Sequence, residues 1–163
     1  MEPSISCSQS RQSKETDWVN WATSAAGLAA NRRPLCRLLW ELWSPNWHFD
    51  DATFERTAAS FDNPNFVEVV IQSYRHRYGL APGDPSLEAI EERLAAQPPI
   101  GVPTIVLHGA CDGVSPPQSS EGHARFFTGP YRRRVVPVAG HFLPQEAPDA
   151  LIEALSELRG RAP

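Results

Sequence analysis

Two side chains in this sequence have the chemistry of an acid–base pair, Asp112 and His141. A carboxylate beside an imidazole fixes the ring's tautomer and stabilises the imidazolium, which is what a general base needs. The two stand 29 residues apart. Asp112 lies in the loop GACDGVSPP, and His141 follows Gly140 in a second loop. The chemistry requires those loops to lie side by side; otherwise these are two loop residues that never meet. His108 closes the run before Asp112, where it touches the site or shapes the loop. His48, His76 and His123 have no partner at metal-ligand spacing and read as surface groups. Arg132-Arg133-Arg134 reads as a solvated strand edge, since three arginines do not make a phosphate or nucleic-acid patch. Trp40, Trp43 and Trp47 either line an apolar pocket or pack between helices, the default for large aromatic side chains.

The elements around these residues can be read from periodicity. Leu35, Leu38, Leu39 and Leu42 recur at helical spacing, and Ser44-Pro45 stops the run, so a helix is expected over about 33–43. Asp50-Asp51 precedes a second helix, with Asp51 as its expected N-cap. Asn63-Pro64 opens a third, whose stripe includes Phe66, Val70, Ile71 and Tyr74. Gly79 stands where a left-handed C-cap is wanted. Asp84-Pro85 opens a fourth, through Leu87, Ile90 and Leu94, ending before Pro98-Pro99. No strand is expected before residue 97. The pattern then changes. The apolar, β-branched run before His108 reads as a buried strand over 103–108. Gln118–Phe127 reads as a helix, Tyr131 begins a second strand, and a closing helix spans Ala147–Leu158. Strand, helix, strand, helix implies an α/β fold with a parallel pair and a right-handed crossover. In such sheets sites gather at the carboxyl ends of strands, where both Asp112 and His141 fall.

Composition narrows the functional classes. The chain has 163 residues, 41% hydrophobic and 21% charged, the range of a soluble globular domain rather than a disordered or collagen-like one. Its net charge of −4 does not invite nucleic acid or an anionic membrane surface. No apolar stretch approaches the length of a membrane span, and the first residues lack the basic and apolar regions of a secretory signal. Cys7, Cys36 and Cys111 are odd in number and form no CxxC pair. Neither a disulfide framework nor a zinc site is expected, and a reducing cytoplasm fits. Residues 1–24 are polar and aperiodic and read as a loose leader.

The stretches VPTIVLHGACDGVSPP and RRRVVPVAGHF closely resemble the C-terminal end of α/β-hydrolase fold enzymes. In that family a Gly-x-x-Asp loop after the penultimate strand supplies the acid, here Gly109 to Asp112. The Gly-His after the last strand supplies the base, here Gly140-His141. The helical stretch before them resembles the cap of the epoxide hydrolase and haloalkane dehalogenase branch. The resemblance therefore implies a partial α/β-hydrolase: a cap over 25–82 and the C-terminal part of the core over 83–163. It implies an ester, epoxide or haloalkane substrate, small and apolar, with no metal and no cofactor. Trp43, Tyr74 and Phe142 would bind the substrate. Tyr74-Arg75 is similar to the cap Tyr-Arg that polarises an epoxide oxygen, although Tyr74 also lies on an apolar stripe that suits a packed core residue. The family's nucleophile elbow, Gly-x-Ser-x-Gly or its Asp form, is expected upstream of the cap and is absent from the sequence there. Gly109-Ala-Cys-Asp-Gly113 matches the elbow pattern with Cys111 as nucleophile, but Pro116-Pro117 follows where a helix should start at once. The chain is thus expected either to be the acid–base part of a hydrolase or to act as a non-catalytic fragment. In both cases a missing N-terminal half, or a second copy paired along the open sheet edge, is the expected partner.

Overall fold

The computed structural model describes residues 24–160, and the polar leader expected over 1–24 lies almost wholly outside them. The described residues fall into two compact units. One comprises residues 24–39 and Phe49–Glu92, the other Trp40–His48 and residues 93–160.

The first unit is helical, as its 3.6-residue periodicity requires. It contains α1 (Ala25–Ala30), most of α2 (Arg32–Trp43), α3 (Asp51–Ala58), α4 (Phe66–Arg77) and most of α5 (Glu88–Ala95). The expected N-cap of α3 moves by one residue. Asp50, not Asp51, is extended and accepts from the Thr53 amide at 2.8 Å. That is the geometry in which a side-chain oxygen satisfies an orphan N–H. A 3₁₀ turn, Ala59–Asp62, continues α3, and Gly79 adopts φ +69° after α4, where a residue without a Cβ costs least. The core is Leu28, Phe54, Ala58, Phe61 and Ile71. Phe49, Phe54, Phe61 and Phe66 form a chain of ring contacts, each pair 5.1–6.3 Å apart. Leu87, Ile90 and Leu94 share a face that remains exposed.

The second unit holds the sheet. β1 (Thr104–Gly109) and β2 (Tyr131–Val136) are parallel, with Thr104 opposite Tyr131 and Gly109 opposite Val136. The connection is a 3₁₀ helix, Pro117–Phe126, where a helix was expected over Gln118–Phe127. Two helices follow, α6 (Leu143–Glu146) and α7 (Pro148–Gly160), and both pack on β1. β1 was expected to be buried. It is only half-buried except at Gly109, because a sheet of two strands does not cover both of its faces. Of the arginines of β2, Arg132 is exposed as expected of a solvated edge, whereas Arg133 and Arg134 are half-buried. Arg132 and Arg134 pair with Glu157 of α7, and Arg133 donates to Ser120 Oγ and the Pro117 carbonyl. Among the described residues no helix is long and apolar enough to cross a membrane.

The cysteine reading needs one correction. Cys111 is disulfide-bonded and buried, while Cys36 is a free thiol whose pKa is raised by burial. A sulfur already in a disulfide is no nucleophile, so the Gly-x-Cys-x-Gly match carries no chemistry.

Candidate active site

Adjacent parallel strands end at the same edge, and the loops that leave β1 and β2 carry the two groups there. Backbone contacts tie the loops together. The Cys111 amide donates to the Ala139 carbonyl at 2.9 Å, and the Ala110 amide to the Val136 carbonyl at 2.9 Å. The approach depends on glycine. A Cβ at Gly109 would stand 2.2 Å from the Gly140 carbonyl oxygen and 2.5 Å from that of Ala139. Gly140 is equally confined, with Ser44 atoms 2.6–2.9 Å from where its Cβ would be.

His141 Nδ1 lies 3.1 Å from each oxygen of Asp112. Asp112 Oδ1 also accepts from the amides of Val114 (2.8 Å) and Ser115 (3.0 Å). Burial pushes the Asp112 carboxyl up. The hydrogen bonds from His141, Ser115 and Val114, with the charge of His141, outweigh it and hold the group below its ordinary value. An ionised carboxylate only accepts, so the hydrogen between the two groups sits on Nδ1, and in the neutral ring the lone pair is then on Nε2. The His141 side chain is 37% exposed, against 10% for Asp112. The Trp43 ring lies edge-on to His141, centroids 5.5 Å apart, and Phe142 stands at 5.6 Å. A part-exposed imidazole oriented through Nδ1 by a carboxylate is what proton abstraction from a small molecule needs.

No protein-family model matches the sequence, and no curated protein does. Among solved structures, the chain is similar to a protein from Klebsiella pneumoniae subsp. pneumoniae described as a "putative epoxide hydrolase", at 38% identity and a TM-score of 0.80. The match covers 91% of this chain and 51% of that one. The chain matches the C-terminal portion of an epoxide hydrolase-like α/β-hydrolase. It spans about half the length of the solved structure it matches.

The other candidate residues sort by unit. Trp43 and Phe142 stand at His141. Trp40, Trp47 and Phe142 cluster beside them, with centroids 5.2–5.7 Å apart, so the tryptophans pack on one another and on the residue after His141. Tyr74 belongs to the helical unit, where it stacks on Tyr78 at 6.5 Å under the Arg77 guanidinium. His108 shapes the Asp112 loop, with Nδ1 2.8 Å from Ser120 Oγ and Nε2 3.0 Å from the Ser115 carbonyl. His76 pairs with Glu91 at 3.2 Å. Among the described residues no three His, Cys, Asp or Glu side chains converge as a metal site. Sequence reading missed Ser44 and Glu146, which meet beneath the His141 loop, Oγ to Oε1 2.6 Å. Ser44 is 102 positions from its partner and left no signal except as a helix stop. Glu146 stood five residues after His141 in GHFLPQE, where its charge beside the base was the one available clue.

The depressed pKa of Asp112 has a consequence for stability. A carboxyl that is more acidic when folded contributes stability above its unfolded pKa of about 3.9. That contribution disappears as pH falls through the folded value. Thermal melts between about pH 2 and pH 6 are therefore expected to show a steeper acid loss in the wild type than in Asp112→Asn. Parallel curves for the two proteins would contradict the assignment.

Proposed function

We propose that this chain carries the acid–base part of an epoxide hydrolase-like enzyme, with His141 as general base and Asp112 as the carboxylate that orients it. The observation that carries this reading is the Asp112–His141 contact at 3.1 Å, at the carboxyl ends of adjacent parallel strands. His141 Nε2 takes a proton from water. The water oxygen bonds to the electrophilic carbon of a covalent enzyme–substrate ester, and the bond from that carbon to the leaving oxygen breaks. The proton held by His141 then passes to the departing group, which restores the neutral ring. Asp112 keeps the imidazole in the Nδ1–H tautomer throughout. Neither β1 nor β2 leads into a nucleophile elbow among the described residues, so the nucleophile comes from the rest of the fold, on this or another polypeptide. The substrate is a small apolar epoxide, ester or haloalkane. Trp43 and Phe142 would contact it.

A second reading has its own support. The sheet among the described residues has two strands, Ile100, Val102 and Val135 are exposed, and the chain spans 51% of the matched structure. On this reading the chain is a non-catalytic piece or a subunit that works only beside its complement. One experiment addresses both. The N-terminal half of the Klebsiella protein is fused to this chain, and hydrolysis of styrene oxide and nitrophenyl esters is followed for the fusion and for the chain alone. Turnover by the fusion, with none above background by the chain alone, is the expected result. A fusion that melts cooperatively yet turns nothing over would remove the catalytic reading.

A further inference from the structure

The His141 loop is held in a conformation it would not adopt unaided. Val138, two residues before Gly140, has φ +68°, a region that β-branched residues rarely enter. The Ala139 amide closes a tight turn onto the Pro137 carbonyl at 2.8 Å, and a turn of this kind is strained. Something outside the loop must fix it.

Three successive amides in the loop point at one pair of side chains, the buried Ser44 and the half-buried Glu146. Gly140 N donates to Glu146 Oε2 at 2.7 Å. His141 N donates to Ser44 Oγ at 2.9 Å. Phe142 N donates to Ser44 Oγ at 3.1 Å and to Glu146 Oε1 at 3.0 Å. Ser44 Oγ in turn donates to Glu146 Oε1 at 2.6 Å. Ser44 is 1% exposed, so a polar group taken from this cluster leaves others buried and unpaired. The preceding residue extends the connection to the acid. The Trp43 carbonyl accepts from His141 N at 3.1 Å and from Gly113 N, next to Asp112, at 2.9 Å. A Cβ at Gly113 would lie 2.1 Å from the Leu42 carbonyl oxygen, so the acid loop is pressed against the end of α2.

We propose that Ser44 and Glu146 are positioning residues for the acid–base pair. Together with the Trp43 carbonyl they staple the base loop to the acid loop and set the distance between Asp112 and His141. They act through the backbone of residues 140–142 and touch neither the reacting atoms nor the imidazole. The inference rests on the reading of Asp112 and His141 as acid and base. It adds that this geometry is imposed from Ser44 and Glu146 rather than by the two strands alone.

The test uses the full chain with ¹⁵N-labelled histidine, at a pH where the rings are neutral. Nitrogen shifts of His141 report which ring nitrogen carries the proton. The expected wild-type state is a single Nδ1–H tautomer, lost in Asp112→Asn. Ser44→Ala and Glu146→Gln are expected to convert His141 to a mixture of tautomers. Hydrogen exchange of the 140–142 amides should rise about tenfold or more, the scale of one lost hydrogen bond to a charged group, with the strand amides 105–108 unchanged. A purely structural role would lower the melting temperature and speed all amides in proportion while leaving the tautomer intact, and that result overturns the inference. If one variant does not fold, the other decides. If neither folds, the pair is a folding element and the inference is lost. A wild-type ring without the Nδ1–H tautomer would instead sink the acid–base reading itself.

Discussion

Gly109→Ala should be among the most destabilising single substitutions available in this chain. The added methyl would stand 2.2 Å from the Gly140 carbonyl oxygen and 2.5 Å from the Ala139 carbonyl oxygen. These are backbone atoms of the strained base loop, and no rotamer change moves them aside. Overpacking of well-packed sites costs roughly 1–3 kcal/mol, and a clash with backbone belongs at the top of that range or above. In a domain of this size each kcal/mol corresponds to about 2–4 °C in Tm, so a drop of about 10 °C, or loss of the cooperative transition, is expected. Two other glycines calibrate the result. Gly160 has nothing within 4 Å of its would-be Cβ, and alanine there should be neutral or slightly stabilising. Gly79 is equally uncrowded but holds φ +69°, so its alanine variant should cost about 1 kcal/mol of left-handed strain. The measurement is thermal denaturation of the three variants beside the wild type. A Gly109→Ala variant no worse than Gly79→Ala would mean that the two loops do not approach as closely as described.

The same close approach explains which parts of the fold were legible. The strands and helices followed from local pattern. The leucine spacing before Ser44-Pro45 marked α2 (Arg32–Trp43), and the run ending in His108 marked β1. The Gly-x-x-Asp and Gly-His motifs marked the two loops by resemblance to a known family. Errors arose where a neighbour on the chain decided the local state. Asp50 rather than Asp51 caps α3, because the adjacent acidic residues offered two equivalent caps and only the backbone angles choose between them. Arg132 and Arg134 were read as part of a solvated edge because Glu157, which both reach, is 25 and 23 residues away. Ser44 was out of reach of any local pattern: its chemistry depends on amides 97 and 98 positions later. The candidate pair was legible for the opposite reason. Parallel strand pairing places the loops after both strands at one edge, so two residues far apart in sequence become neighbours by topology.

The other large effect concerns catalysis. In the fusion that restores a complete fold, His141→Ala is expected to reduce hydrolysis by about 10²–10⁴-fold, the range that a positioned general base contributes. Most of the loss should appear in kcat, because the imidazole acts on the water and not on the resting substrate. Asp112→Asn should fall short of this loss, since it leaves the imidazole in place. An amide nitrogen in place of one carboxylate oxygen still allows one acceptor for Nδ1–H, but His141 now divides between tautomers and the imidazolium loses its counter-charge. The pair acts through one proton path, so the effects will not add. The double variant His141→Ala, Asp112→Asn should be no slower than His141→Ala alone, because a carboxylate with no imidazole to orient has no catalytic role left. Multiplicative losses in the double variant would show that Asp112 works independently of His141. The 3.1 Å contact between them would then be structural, and the assignment of acid and base would fall with it.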